Sequence, residues 1–398
     1  MTRPFRRIVL YIPGFDPFPP RRYRELFRRE SVKQAQISGY SMTMTGRGGQ
    51  TGFGWTAAGS FSQGDANTAF EVLLWADLVQ QSMTTGIVGT YRQLLHTAWA
   101  YIGSGALLRL MRLRRGPVLA ALYPIVVLIL QLIAGVLLGW LIGCAATRLT
   151  GLSWPGWLIA VAVFGATLRL FKSQDHRIYA YYLMHDYAFT AKLNGAYPPE
   201  LEQRIGEFAE RLSQVMAQKD VDEVLLVGHS SGAYLAVSVL ADYLRQIRMP
   251  ANAPALSLLT LGHVVPMASF LPGAQRLRAD LAWLSTRDEI FWLDVTAPGD
   301  ACSFALCDPV AVTGVAGPDQ RWPLVISAAY RQTLSAKQQY ALRGHWFKLH
   351  FQYLCAFERP RDYDYFAITA GPLSLSQRFA GRSPSPGRIT TPAGPGLP

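Results

Sequence analysis

Short aliphatic and β-branched runs alternate with longer amphipathic ones along most of the chain. Arg7–Ile12 (RIVLYI) ends in Pro13-Gly14 and predicts a buried strand running into a loop. Pro20–Gln36 predicts a basic helix, Gly46–Asn67 (rich in Gly, Ser and Thr) a loop or irregular hairpin, and Phe70–Trp75 (FEVLLW) a second strand. Roughly 80–115 predicts helix, as do Tyr179–Leu193 and Pro199–Lys219, the latter opening on a proline. Then the pattern becomes regular: strand Glu223–Val227, helix Ser231–Arg248, strand Leu256–Leu261, helix Gly273–Ser285, strand Ile290–Val295. Strand alternating with helix is the mark of a parallel sheet covered on both faces, so the expected class is α/β. From Gly381 the chain holds five prolines and four glycines in eighteen residues, which predicts a disordered tail over 381–398.

One region breaks this pattern. Pro117–Thr147 is 31 residues without a formal charge, and after Arg148 a further 20 follow, Leu149–Leu168. A helix crossing the hydrocarbon core of a bilayer needs about 20 mostly apolar residues. The runs predict a transmembrane hairpin with spans near 118–142 and 153–171. Core helices of a soluble domain would carry a polar stripe, and here there is none. Trp140, Trp154 and Trp157 lie near the turn, where aromatic rings favour the interface. Arg109, Arg112, Arg114 and Arg115 precede the hairpin, and Arg169, Lys172 and Arg177 follow it. The positive-inside rule therefore expects two spans with both termini cytoplasmic, in the inner or plasma membrane. The first fifteen residues lack the apolar length of a secretory signal, since Ile8–Ile12 is only five residues long.

Composition sharpens that picture. Hydrophobic residues make up 50% of the 398 and charged residues 16%, against about 25% charged in an ordinary soluble domain. Global disorder is thereby excluded. Four cysteines in a chain of this size exclude a disulfide scaffold. Cys302 and Cys307 have no second ligand pair and read as small buried hydrophobes, so no metal site is expected. The net charge of +12 would suit any phosphate-bearing partner. No nucleic-acid motif accompanies it, and beside two spans it fits anionic lipid headgroups.

The candidate chemistry lies where Val224–Val227 runs into Gly228-His229-Ser230-Ser231-Gly232 and then into the apolar helix Ala233–Leu244. This is G-x-S-x-G between a strand and a helix. The sharp turn holds the serine in a strained conformation with Oγ exposed at the carboxyl end of the sheet, and the glycines leave room for the close approach. The backbone N–H of the following residue, Ser231, points to where an oxyanion would form.

On these residues the chain resembles the α/β-hydrolase superfamily, and loosely its lipase and esterase branches, over the first strand, the block 70–77 and most of 198–355. The resemblance implies an α/β-hydrolase-type sheet, mostly parallel, with helices on both faces. The hydrolase domain would comprise 1–80 and 176–380, with 81–175, including the hairpin, as an insertion. It implies Ser230 as nucleophile and the backbone N–H of Phe15, following Pro13-Gly14, as second oxyanion donor. An acid and then a histidine should follow in chain order. Asp300, in the turn after strand IFWLDV, is preferred over Asp294 within that strand and Asp308 further along. His345-Trp-Phe-Lys-Leu-His350 reads as a short strand ending at His350, before a helix over 351–356, and His350 is preferred over His345. The expected function is a membrane-anchored serine hydrolase acting on an ester or thioester, with a small-molecule or lipid-like acyl substrate and no metal or organic cofactor. The rivals are a catalytically inactive membrane scaffold of the same fold and a transport subunit. The second is disfavoured because neither span carries an ionisable residue in its middle.

Overall fold

A computed structural model describes residues 3–47, 52–247, 249–250 and 252–397. Residues 48–51 of the expected Gly46–Asn67 loop, Arg248 at the expected helix end and Pro398 of the tail lie outside the described residues.

Eight strands form one sheet: β1 (Phe5–Ile12), β2 (Ser41–Arg47), β3 (Phe53–Phe61), β4 (Gly64–Val72), β5 (Glu223–His229), β6 (Ala255–Leu261), β7 (Ile290–Thr296) and β8 (Leu324–Ser327). Their order is β2-β3-β4-β1-β5-β6-β7-β8. Only β3 runs against the rest: it pairs antiparallel with β2 and β4, and the remaining neighbours pair in parallel. The chain leaves β1 towards the β2 edge, whereas it leaves β5 towards β8. Such a reversal opens a crevice at the carboxyl ends of the two strands between which it occurs, here β1 and β5.

Alternation along the strands divides the core into two layers. Leu10, Ile12, Val224, Leu226 and Trp292 face the helices Pro199–Met216, Ser231–Gln246 and Gln275–Leu284. Val9, Tyr11, Leu225, Val227 and Leu293 face Phe27 of helix Arg21–Ser38 and the aromatic residues of 353–366. The central strands β5 and β6 are buried on both faces, which is why they read as continuous apolar runs.

Three parts of the chain depart from the sequence expectations. Of the loop or irregular hairpin expected over Gly46–Asn67, the hairpin forms, and in regular strands: β3 and β4 pair antiparallel, with Trp55 and Ala57 buried and Trp55 stacked on Phe70. The expected strand at His345–His350 is a short helix, Trp346–His350, continued as a 3-10 turn over Phe351–Leu354. The last strand is instead Leu324–Ser327, only four residues long. The tail is also placed rather than free. Ile389 donates to the Leu306 carbonyl (2.7 Å) and accepts from Asp308 N–H (2.9 Å), and Gly394 donates to Val312 O (2.8 Å). Proline and glycine deny the tail a helix, yet its extended backbone still finds partners in helix Pro309–Thr313 and the loop before it.

Between β4 and β5 in the chain lie helices Arg115–Thr150 and Ser153–Ser173, joined by a two-residue turn. Both are long and apolar enough to cross a membrane, with mean hydropathy 2.8 and 1.4 over their best windows. They pack antiparallel along a stripe of small residues. A Cβ on Gly139 would lie 2.6 Å from the Ala160 carbonyl, and one on Gly143 2.6 Å from that of Gly156. Close backbone approach of this kind is typical of helix pairs in lipid. Pro117, Val118, Ala120, Pro124 and Leu128 in the first turns of the first helix pack against the rest of the chain, whereas most of the second helix is uncovered outside the seam.

At the amino ends of β1 and β5, Arg7 Nε donates to Glu223 Oε2 (2.6 Å), both side chains being fully buried. Glu223 Oε1 accepts from Ser257 Oγ and Leu375 N–H (both 2.7 Å), and Arg7 Nη1 donates to Gly371 O (2.8 Å). The pair thus fastens segment 371–375 to the centre of the sheet. Arg7→Met should lower stability by about 3–5 kcal/mol, the usual cost of leaving one buried charge uncompensated. Chemical denaturation of the variant against wild type measures it, and a loss under 1 kcal/mol would show that Glu223 finds another partner.

Candidate active site

The turn after β5 places Ser230 at φ 58° and ψ −121°, a conformation that L residues rarely adopt. Its backbone N–H donates to the Leu261 carbonyl at the end of β6 (2.9 Å), so the turn is fixed to the neighbouring strand. The flanking glycines are needed for contact rather than flexibility. A Cβ on Gly228 would lie 2.4 Å from Gly232 O, and one on Gly232 2.2 Å from Ile12 O. The helix that starts at Ser231 therefore begins against the end of β1. Gly14 lies close by, where a Cβ would meet Ser230 Cβ at 2.9 Å.

His350 Nδ1 lies 2.7 Å from Asp300 Oδ2, and both side chains are buried. Asp300 follows β7, as expected, and two further donors hold it: Tyr353 O–H to Oδ2 (3.0 Å) and Cys302 N–H to Oδ1 (2.9 Å). Burial alone would push the Asp300 pKa up. The facing His350 charge and these hydrogen bonds outweigh burial and hold it below the ordinary value. Nε2, the other nitrogen of the His350 ring, is buried and makes no hydrogen bond among the described residues, so Ser230 Oγ and His350 Nε2 are not hydrogen-bonded. The two residues nevertheless line one cavity of about 540 Å³ at the crevice between β1 and β5. Gly262, at φ 53°, ends β6 beside them, and a Cβ there would lie 3.0 Å from His350 Cε1.

The alternatives lie elsewhere. Asp294 accepts from Thr260 Oγ1 (2.6 Å), and burial pushes its pKa well up. Asp308 caps its own helix, accepting from the amides of Val310 (3.0 Å) and Ala311 (3.1 Å). His345 is exposed, and its Nδ1 lies 3.2 Å from the Arg343 carbonyl. His229, next to the serine, is buried with its Nε2 on the His350 carbonyl (3.1 Å), and burial pushes its pKa down to about 3. It buttresses the His350 backbone as a neutral ring.

The oxyanion candidates are adjacent to Ser230. Ser231 is the first residue of its helix, so its amide has no intrahelical acceptor. Phe15 lines the cavity, its ring packed against Trp75, Tyr182 and Phe189, and its carbonyl accepts from Tyr182 O–H. Asp300, Cys302 and His350 also present ligand-type atoms within 4.8 Å of one another. Burial pushes the Cys302 thiol well up, however, and a thiol is a poor metal ligand until it ionises.

Sequence reasoning missed three residues here. Tyr353 and Gly262 complete the setting of Asp300 and His350. Asp186, on helix Ala180–Ala191, lines the cavity with its carboxyl, and burial pushes its pKa up to about 7, against a smaller lowering effect of His350. An acid within YYLMHDYAFTA was the available signal. Comparison with protein-family models, curated proteins and solved structures finds no match in any of the three.

A carboxyl whose pKa rises on folding stabilises the fold at low pH, and that contribution is lost as pH rises through the folded value. Above about pH 7 Asp186 therefore opposes folding. Asp186→Asn should raise the melting temperature relative to wild type more at pH 8 than at pH 5. Equal differences at the two pH values would place the Asp186 carboxyl in contact with water or a cation.

Proposed function

We propose that the protein is a membrane-anchored serine hydrolase of α/β-hydrolase type that cleaves an ester or thioester through an acyl-enzyme on Ser230. The observation that carries this reading is the positive-φ serine at a glycine-walled turn, sharing a cavity with a buried His350–Asp300 pair. The resemblance of the elbow motif and the acid-then-histidine chain order support the same reading.

In this mechanism Ser230 Oγ forms a bond to the acyl carbonyl carbon while its proton passes to His350 Nε2, the atom with the open lone pair. Asp300 holds the ring by Nδ1 and stabilises the imidazolium that forms. The negative charge on the tetrahedral oxygen falls to the Ser231 and Phe15 amides. Collapse breaks the bond to the leaving group, which takes the proton from Nε2. A water then repeats the sequence on the acyl-enzyme and releases the acid. The serine–histidine hydrogen bond is expected to close with substrate in place, since such contacts tighten in the Michaelis complex. Aromatic walls from Phe15, Tyr182, Tyr234 and Phe347 suit an apolar acyl chain, and helices 115–150 and 153–173 would keep the site at a lipid surface.

The rival is a scaffold that retains the elbow without chemistry, and the missing Ser230–His350 hydrogen bond is what favours it. A fluorophosphonate probe separates the two. Wild type should label and Ser230→Ala should not. Undiminished labelling of the variant would move the nucleophile elsewhere, and no labelling of either would favour the scaffold. On an ester substrate His350→Ala should lower turnover by several orders of magnitude, Asp300→Asn by about 10⁴ with little change in binding. His345→Ala should cost little.

The flanking arginines orient the hairpin with both termini cytoplasmic. A cysteine introduced near Gly151 should react with an impermeant reagent from outside, and one in the tail should not. The reverse pattern would invert the topology.

A further inference from the structure

Helix Ile87–Gly103 carries its apolar residues on two opposite faces. Thr90, Leu94, Thr97, Ala100 and Tyr101 are buried against the rest of the chain. On the other side Val88, Leu95, Trp99 and Ile102 are 75%, 69%, 78% and 64% exposed. At 100° per residue these four fall within about 60° of arc. A stripe this narrow and apolar, aimed away from its own core, requires a cover. Exposed Arg92 and His96 border it on one side, and exposed Arg112 lies on the short helix that follows, Ala106–Leu113.

Where the helix sits identifies the cover. Helix 115–150 has 36 residues and is about 54 Å long, far more than the ~30 Å hydrocarbon core requires. Its first turns, from Pro117 to Leu128, hold buried residues packed towards the α/β part of the chain, and from Ile129 onward apolar side chains are exposed on most sides. The domain-side edge of the apolar span therefore falls near Leu128. Tyr91 O–H donates to the Leu128 carbonyl (2.9 Å). Lys172 Nζ, at the end of the second long helix, donates to Thr85 O just before helix 87–103 (3.3 Å). At its far end Tyr101 O–H donates to the carbonyl of Met267, a cavity-lining residue (2.9 Å). The helix thus starts at the edge of the apolar span and runs from there to the active-site cavity.

We infer that helix 87–103 lies flat in the membrane interface, with Val88, Leu95, Trp99 and Ile102 seated among the lipid chains and Arg92 among the headgroups. The inference rests on the reading of helices 115–150 and 153–173 as membrane spans. Seventeen residues lying in the plane would hold the cavity against the bilayer over about 25 Å, a platform that two upright helices alone do not provide.

Tryptophan quenching by bromine-labelled phosphatidylcholine tests it on the full chain in vesicles. The emission difference between wild type and Trp99→Phe isolates Trp99, and that for Trp140→Phe isolates a residue of the first long helix. Both contributions should be strongly quenched by bromolipid, and Trp99 should be insensitive to aqueous iodide. If Trp140 is quenched by lipid while Trp99 is quenched only by iodide, the in-plane helix is overturned and the membrane anchor stands. If Trp99 responds to neither quencher, a protein covers the face and the inference fails. If neither tryptophan responds to lipid, the anchor and the in-plane helix fall together.

Discussion

The contact that sets the geometry of the site is backbone on backbone, at the end of β1. The helix that begins at Ser231 must come so close that Gly232 can carry no side chain against Ile12 O, and Gly228 none against Gly232 O. That approach bends the intervening Ser230 into positive φ, a strain of order 1–3 kcal/mol that only a well-packed surrounding can sustain. The surrounding here is rigid: β5 lies at the centre of the sheet, and every residue from Glu223 to His229 is buried. Because the chain leaves β1 and β5 in opposite directions, the same place is also the one where the sheet edge opens. The strained serine and the crevice therefore coincide for topological reasons.

Two carboxyl groups at the cavity, Asp300 and Asp186, show how environment separates titrations. Asp300 accepts three hydrogen bonds, from His350, Tyr353 and the Cys302 amide, and stays charged despite burial. Asp186 lines the same cavity but no side-chain hydrogen bond to its carboxyl exists among the described residues, and burial moves its titration towards neutrality. One carboxylate holds the His350 ring, and the other titrates near neutrality at the cavity wall. Pairs whose surroundings separate their pKa values in this way mark distinct roles in a site.

Much of this was legible in the sequence because it is local. The strand–elbow–helix motif, β7 with its following acid and the two long apolar runs all announce themselves within twenty to thirty residues. What was not legible depends on tertiary contact. The pattern predicts His350 at the end of a strand, yet it ends a helix; its position is set by Asp300, fifty residues away in the chain, and by the room Gly262 leaves, neither of them readable from the residues around it. β8 is four residues long, too short for an alternation to register. Trp55 and Ala57 belong to a strand whose glycines and threonines resemble a loop until Phe70 is placed opposite. The tail reads as disordered from its prolines, because no local rule reports that Leu306 and Val312 present carbonyls to it.

The apolar hairpin and the site are joined mechanically, not merely in sequence. Pro117 and Ala120, in the first turns of helix 115–150, line the cavity that holds Ser230 and His350. One turn later Tyr123 packs edge-on against Trp346, the first residue of the short helix that ends at His350, and donates to the Ile178 carbonyl (2.8 Å). Tyr179 and Tyr182 in turn meet Phe347, and Tyr182 reaches the Phe15 carbonyl. An unbroken run of packed side chains thus leads from the root of the hairpin to the helix of His350 on one side and to Phe15 on the other. Removing the hairpin would expose this aromatic packing and strip one wall from the cavity. The insertion between β4 and β5 is accordingly part of the site's construction, and the α/β sheet alone would present the serine without the enclosure around it.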